Sequence, residues 1–140
     1  MELERALDAV RSVRGGVLVT LKRDGRPQLS NISYAVDGDG VIRVSITASR
    51  AKTANARRDP RVSLYVSPSG FYSYVVVEGR ADLTPPAAAP DDPTVEELVE
   101  QYRAIAGEHD DWDDFRRAMV ADRRLVLRLH PERAYGMLPD

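Results

Sequence analysis

The sequence predicts a mainly β fold with peripheral helices, an α+β protein built on a small antiparallel barrel of about six strands, closed or half-closed. Several short runs alternate apolar and polar residues, which indicates strands, and glycine-containing turns between them indicate hairpins. The longest helical patterns come late, after residue 90. A barrel with helices on its outside is an arrangement that hides the edges of such a sheet.

The first 47 residues contain one helical pattern followed by three strand patterns. Apolar residues at helical spacing predict a short helix over residues 1–11, ended by Gly15 and Gly16. From there the apolar period changes to two, which is typical of strands. The turns are expected at 24–25 and 37–40, and the strands at 17–21, 27–36 and 41–47.

The remainder contains a further hairpin, two helices and a last strand. Three consecutive valines, 75–77, indicate a strand buried on both faces, and four prolines within 84–93 exclude a strand there. The two helices begin at a capping box over 94–97 (TVEE) and at the aspartates 110–111. The strands are expected at 61–67, 72–83 and 125–129, the last ending before Pro131.

Composition limits the classes of function. The 140 residues are expected to form one domain, and their net charge of −2 argues against a binder of nucleic acid or of anionic membranes, whose surfaces carry a basic excess. The chain has no cysteine, so it has no disulfide, no thiolate metal site and no cysteine nucleophile. No apolar run approaches the ~18 residues of a membrane span, and the charged N-terminus lacks a secretory pattern. We therefore expect a cytoplasmic protein.

Two histidines and one acidic cluster are the candidates for a metal or acid–base site. His109 and His130 have no carboxylate or second histidine at ligand spacing. The four aspartates within 110–114 lack the glycine and glutamate of a calcium loop, and helix capping explains them better. Neither a phosphate loop nor a dinucleotide fingerprint occurs. We expect no metal site, and redox chemistry would require a bound cofactor.

A short basic helix over residues 49–60 is the strongest indication of a binding site. Ser49 is a natural N-cap, and Pro60 ends the helix. Arg50 and Lys52 fall in the first turn, where the helix dipole and free N–H groups are already positive and acids are normally preferred. A phosphate group would satisfy the amides and both side chains together. The alternative is a solvated basic helix end.

Polar side chains interrupt the apolar alternation of the second strand. Gln28, Ser30 and Asn31 carry amide and hydroxyl groups that need partners if they are buried in the sheet. Either they face water, or they contact the polar edge of a flat heterocycle whose phosphate lies on Arg50 and Lys52. In the second case the chemistry belongs to the cofactor.

Five segments occur in an order that is known from one family. They are 24–31 (DGRPQLSN), 49–55 (SRAKTAN), 58–61 (RDPR), 83–92 (LTPPAAAPDD) and 106–114 (AGEHDDWDD). This order resembles the split β-barrel flavin and deazaflavin oxidoreductases, which include the pyridoxamine 5′-phosphate oxidase-like proteins. The last two segments are similar to the branch that uses the deazaflavin coenzyme F420, and the resemblance extends over nearly the whole chain.

The resemblance implies a homodimer of six-stranded, FMN-binding-type split barrels with two cofactor sites at the interface. It also implies which residues bind the cofactor, of which only the two tyrosines could belong to either subunit. They are Arg50, Lys52, Ser45, Thr53 and Asn55 for the phosphate; Gln28, Ser30, Asn31 and the backbone near Ile46 for the ring; and Tyr72 and Tyr74 for closing the pocket.

The implied chemistry is hydride transfer between C5 of reduced coenzyme F420 and a small electron-poor acceptor, with the completing proton supplied by water or by Tyr74. Such a step depends on alignment and charge stabilisation more than on a dedicated base. Two alternatives stay open: an FMN-dependent oxidase of the pyridoxamine phosphate type, and a non-catalytic protein that stores or delivers coenzyme F420.

Overall fold

The structure of the protein, a computed structural model, describes residues 1–139; Asp140, the last residue of the predicted domain, lies outside them. The helices described are α1 (Leu3–Arg11), α2 (Ala51–Arg58), α3 (Pro93–Ala106) and α4 (Trp112–Ala121). The strands described are β1 (Gly15–Leu21), β2 (Pro27–Ser33), β3 (Ala35–Val36), β4 (Ile42–Thr47), β5 (Arg61–Val66), β6 (Tyr74–Leu83) and β7 (Arg124–Met137). Within residues 1–139, no helix has both the length and the apolar character needed to cross a membrane.

All seven strands belong to one antiparallel sheet in the order β2-β1-β5-β6-β7-β4-β3. β2 and β4 are far apart in this order, yet they approach each other in space. No hydrogen-bonded ladder joins these two strands in the described part of the chain. The sheet is therefore curled into a split barrel, which confirms the predicted fold class and leaves a cleft between β2 and β4.

The barrel interior and the helix layer form two separate cores. Alternate side chains of the sheet fill the interior, and α1 covers it with Ala6, Leu7 and Val10. The second core lies between α3, α4 and β7, and its buried members include Val95, Leu98, Phe115 and Val126. This packing fixes α3 and α4 on the outside of the barrel, with the last turns of α3 beside the cleft.

The structure has seven strands instead of the six predicted, because the predicted strand 27–36 is interrupted at Tyr34. The Tyr34 side chain is buried, its hydroxyl donates to the Val10 carbonyl (2.6 Å), and its backbone N–H donates to the Arg14 carbonyl. Because these bonds tie Tyr34 to α1 and the segment after it, the chain leaves β2 there and continues as the short β3, which pairs with β4.

The predicted end of the last strand was wrong, because β7 continues through Pro131 to Met137. The register of the β6–β7 ladder shifts between Glu78, opposite Arg133, and Gly79, opposite Pro131. The extra residue, Glu132, forms a β-bulge, which is one of the few places where a strand tolerates a proline. Gly79 is required there because a Cβ would overlap the backbone carbonyl of His130.

Two predicted helix caps and one burial pattern were also wrong. α2 is capped by the backbone of Arg50 instead of Ser49, and the side chain of Asp92, not Thr94, caps α3 by accepting from the Val95 N–H. Val76 is only half-buried, since the strand covered on both faces is β7 under α3. The predicted cap of α4 at residues 110–111 is confirmed, since the Asp111 side chain accepts from the Asp114 N–H.

An ion-pair network attaches α3 to three strands. The Glu97 carboxylate accepts from Arg43 Nε on β4 (3.0 Å) and from Arg128 Nε and Nη2 on β7 (2.9 and 2.6 Å). Arg43 also pairs with Asp37, and Arg128 with Asp82 on β6. These bonds, first from Arg128 and then from Arg43, hold the pKa of Glu97 below its ordinary value of 4.5.

We expect Glu97→Gln to lower the free energy of unfolding by about 2 kcal/mol, because it leaves two guanidinium groups without their half-buried anion. The pKa of Glu97 is lower in the folded protein than in the unfolded protein. Its contribution to the free energy of unfolding is therefore complete above about pH 5 and is lost as the pH falls through the pKa of the folded state. Urea unfolding at pH 7 and at pH 4 measures both effects. Glu100→Gln, at an exposed pair with Arg103, is the control and should change little; equal effects of both variants would contradict the prediction.

Candidate functional site

The cleft between β2 and β4 contains a cavity of about 350 Å³, which we call the first lobe. It is bounded by the inward side of β2, the end of β4, the first turn of α2 and the first residue of β7. Its lining residues are Gln28, Ser30, Ser45, Ile46, Thr47, Arg50, Ala51, Lys52 and Arg124.

A second cavity of about 390 Å³, the second lobe, adjoins the first and shares Ser45, Lys52 and Arg124 with it. Its other lining residues come from the end of β2 and from the last turns of α3: Asn31, Ile32, Ser33, Gln101, Tyr102, Ile105 and Ala106. The cleft therefore has two compartments, and the residues at their junction include two cations.

Three cations converge on the cleft without any carboxylate among the residues that line it: Arg50, Lys52 and Arg124. Burial, together with the guanidinium groups of Arg50 and Arg124, lowers the pKa of Lys52. The Nε atom of Arg124 is buried, and within residues 1–139 no atom accepts a hydrogen bond from it. A buried donor beside two other cations indicates a site for an anion.

The backbone at the start of α2 reinforces this charge. Arg50 is the N-cap and makes no side-chain cap bond, and the first turn contains no acidic residue. The first N–H groups of a helix have no intrahelical acceptor. The Thr53 hydroxyl donates to the Thr47 carbonyl (2.7 Å), which holds the helix start against the end of β4. The free amides of α2 thus lie at the edge of the first lobe.

A chain of side-chain hydrogen bonds runs from the last turn of α2 to the first lobe. Arg58 Nη2 donates to Asn55 Oδ1 (3.2 Å), and Asn55 Nδ2 donates to Thr20 Oγ1 (3.2 Å). Thr20 Oγ1 donates to Gln28 Oε1 (2.9 Å), and Gln28 Nε2 donates to Ser30 Oγ (2.9 Å). Thr20 is fully buried and Asn55 nearly so. The polar groups predicted on β2 are therefore tied to the interior of the protein.

The structure brings most of the predicted site residues together. The six that line the first lobe are Gln28, Ser30, Ser45, Ile46, Arg50 and Lys52. Asn31 lines the second lobe. Thr53 and Asn55 are buried behind the cleft and line neither lobe; they position the start of α2 and the side chains of β1 and β2.

The two predicted tyrosines lie away from the lobes of their own chain. Tyr72 is 84% exposed at the tip of the β5–β6 hairpin, where it packs against Phe71. Tyr74 stacks on Tyr65 at the outer surface of the sheet, with ring centroids 6.0 Å apart. Their predicted role in closing the pocket would therefore require a second subunit.

Sequence reasoning missed Arg124 and Thr20. Thr20 could have been noticed, since it is a polar residue that follows the buried Leu18 at strand spacing. No local signal marks Arg124, which reaches the cleft only because β7 pairs with β4 and places it opposite Thr47.

Comparison with protein families and solved structures agrees with this architecture. The model of the pyridoxamine 5′-phosphate oxidase family matches residues 3–138. A conserved hypothetical protein of Mycobacterium tuberculosis is 28% identical, with a TM-score of 0.73 over 96% of this chain and 82% of its own. An F420 reductase is 26% identical, with a TM-score of 0.71 over 93% of this chain and 95% of its own.

A FAD-binding protein of Mesorhizobium loti shares the same fold at lower identity. It is 19% identical, with a TM-score of 0.68 over 96% of this chain and 90% of its own. At that identity the likeness concerns the fold alone. Proteins of this fold thus include ones named for a deazaflavin and for a flavin.

Proposed function

The chain belongs to the pyridoxamine 5′-phosphate oxidase family, and on this premise we propose that it is an oxidoreductase that uses coenzyme F420. When bound, the deazaflavin would supply hydride chemistry at its C5, exchanged with a small electron-poor acceptor. The observation that carries the proposal is the cluster of Arg50, Lys52 and Arg124 at the free amides of α2, with no carboxylate among the lining residues. Such a cluster matches a phosphate group.

Residues of the first lobe fit both the phosphate and the ring of the cofactor. Arg50, Lys52 and the first turn of α2 would hold the phosphate, and Arg124, whose Nε is a buried donor without a described acceptor, would complete the cradle. Ser30 on β2 and Ser45 on β4 both line the first lobe, where their hydroxyl groups would contact the polar edge of the ring.

The second lobe favours coenzyme F420 over FMN. The phosphate of FMN is terminal, whereas the phosphate of coenzyme F420 is a diester that continues into a chain of carboxylates. Lys52 and Arg124 line both lobes. If the phosphate of coenzyme F420 lies in the first lobe, its carboxylate chain would therefore contact these cations as it enters the second lobe. FMN has no such chain, so it would make no contact with the cations on the side of the second lobe.

We also propose that the protein is a homodimer with the cofactor sites near the interface. The outer face of the sheet carries a row of exposed apolar side chains: Leu29, Tyr65, Tyr135 and Met137, which are 36–62% exposed. Tyr65 and Tyr135 both lie directly opposite Val76, so the row is continuous across β5, β6 and β7. A continuous apolar row of this kind marks a contact surface, and a second copy would bring another Tyr72 toward the cleft.

Binding measurements test the proposed cofactor. Both coenzymes fluoresce, so titration with protein gives dissociation constants for coenzyme F420, for FMN and for the deazaflavin chromophore without its phosphate chain. We expect coenzyme F420 to bind at least about tenfold more tightly than FMN, because additional charge-assisted bonds form along its chain. Tighter binding of FMN would favour the flavin alternative, and indifference to both would refute the proposal.

Turnover distinguishes an enzyme from a carrier. Oxidation of the bound, reduced coenzyme is followed by stopped-flow absorbance against enones, quinones and tetrapyrroles. Acceptor-dependent oxidation supports an oxidoreductase. Tight binding without oxidation across this panel supports storage or delivery of the coenzyme.

A further inference from the structure

The hydrogen-bond chain behind the first lobe has a fixed direction. A guanidinium group only donates, so Arg58 requires the oxygen of the Asn55 amide to face it. The Asn55 nitrogen then donates to Thr20, and the single hydroxyl hydrogen of Thr20 goes to the oxygen of the Gln28 amide. The Gln28 nitrogen in turn donates to Ser30. Every donor in the chain therefore points toward the cleft.

Burial keeps this direction from reversing. Thr20 is fully buried and Asn55 is 8% exposed. Flipping the Asn55 amide would place its NH2 group against the guanidinium donor of Arg58 in a region of low dielectric. The second hydrogen of the Gln28 amide is also directed to an acceptor, the Leu29 carbonyl at 3.3 Å. The Oγ of Ser30 already accepts a hydrogen bond, so its own hydrogen is the one left for an acceptor in the first lobe.

We infer that Ser30 is a polarised hydrogen-bond donor to an acceptor atom of the cofactor ring, a carbonyl oxygen or an electron-rich ring nitrogen, and that Arg58, Asn55, Thr20 and Gln28 are the positioning residues that set this polarity. The inference rests on the proposed function, since the ligand is a flavin-type ring. The cation at the start of the chain aligns the dipoles, and aligned hydrogen bonds strengthen one another. A site polarised in this way favours a ring with added negative charge.

This polarity has a consequence that a purely structural network lacks. Uptake of a hydride raises the negative charge of a ring by one until a proton follows. A donor at the ring stabilises that charge more than it stabilises the oxidised ring. The intact chain should therefore raise the midpoint potential of the bound cofactor relative to a protein in which the chain is broken.

Thr20→Val and Thr20→Ser form a matched pair that tests the inference. Valine keeps the shape of the side chain but removes the hydroxyl, whereas serine keeps the hydroxyl. We expect Thr20→Val to weaken binding of coenzyme F420 by about 5- to 10-fold, as for the loss of one buried hydrogen bond, and to lower its midpoint potential. Thr20→Ser should stay within about twofold of the wild type.

A second pair covers the case in which Thr20→Val fails to fold. Arg58 is exposed, so Arg58→Met and Arg58→Lys should both fold, and only the first removes the cation from the start of the chain. We expect Arg58→Met to lower the midpoint potential in the same direction and Arg58→Lys to restore it. In the cofactor-free protein, the Gln28 side-chain amide protons should exchange slowly in the wild type and in Thr20→Ser, and faster in Thr20→Val.

The outcomes separate this inference from the function on which it rests. If the wild type binds coenzyme F420 more tightly than FMN but both matched pairs show equal dissociation constants and equal potentials, the inference is overturned and the proposed function stands. If the wild type binds neither cofactor, both are overturned. Lower potentials in Thr20→Val and Arg58→Met, each recovered in its partner variant, support the inference.

Discussion

Replacing Lys52 or Arg124 with glutamine is expected to weaken the binding of coenzyme F420 by about 10- to 100-fold for each variant. A hydrogen bond between charged groups contributes roughly 1.5–3 kcal/mol, and the two side chains belong to the same cluster around the first lobe. Because they share one anion, the effects in the double variant need not add, and a double-mutant cycle would measure their coupling. Fluorescence titration at two salt concentrations provides the measurement, with a smaller salt effect expected in the variants.

Lys52→Gln should not destabilise the cofactor-free protein. Burial and two neighbouring guanidinium groups lower the pKa of Lys52, so its charge opposes folding when no anion is present. We therefore expect the thermal midpoint of cofactor-free Lys52→Gln to be unchanged or higher, although the variant binds the coenzyme more weakly. A lower midpoint together with weak binding would indicate damage to the fold instead of a lost contact.

Arg57→Gln is the matched control for both variants. Arg57 lies on the same short helix and carries the same charge, but it is exposed and lines neither lobe. Arg57→Gln lowers the net charge by the same amount as Lys52→Gln and Arg124→Gln. A general electrostatic effect on the binding of an anionic ligand would therefore be seen in all three variants. Equal weakening in Arg57→Gln and Lys52→Gln would refute the assignment of Lys52 to the phosphate.

Tyr135→Glu is expected to convert the proposed dimer to a monomer and to reduce coenzyme binding as well. Tyr135 is 51% exposed and lies opposite Val76 in the middle of the apolar row on the outer sheet face. In a symmetric dimer, one substitution places a buried, unpaired carboxylate on both sides of the interface, which costs several kcal/mol. Light scattering after gel filtration measures the mass, and titration of the same sample measures binding.

Ala104→Glu is the control for the dimer prediction. It adds the same charge at an exposed position on α3, a helix that packs over Val126, near the opposite end of β7 from Tyr135. This variant should remain dimeric and bind the coenzyme normally. A Tyr135→Glu protein that stays dimeric would place the interface elsewhere, and a monomer that binds with full affinity would show that Tyr72 of a second subunit does not contribute to the site.

Much of the site could be predicted because its signals are local. The polar groups of Gln28 and Ser30 break the strand pattern of β2, and Arg50 and Lys52 contradict the usual charge at a helix start. Both conflicts are visible within a few residues of sequence, and the structure places all four side chains at the first lobe. A residue that is unfavourable for its local secondary structure is informative, because a ligand or a distant part of the protein must offset its cost.

Other predictions failed where a distant contact overrides the local pattern. A proline normally ends a strand, but Pro131 stays within β7 because Gly79 on the neighbouring strand β6 and the bulge at Glu132 accommodate it. Tyr34 continues the alternation of β2 in the sequence, yet its hydroxyl bonds to α1 and draws the chain out of the strand. Neither partner can be identified from the residues around Pro131 or Tyr34.

The sequence by itself determined most of the strands, the turns and the basic start of α2, because periodicity, turn chemistry and helix electrostatics act over a few residues. Only the tertiary structure decided that Arg124 joins Lys52 and that Thr20 connects Asn55 to Gln28. These meetings depend on β4 pairing with β7 and on α2 packing against β1, which bring together parts of the chain that are far apart. Long-range pairing is selected by the burial of the whole core, so no short segment specifies it.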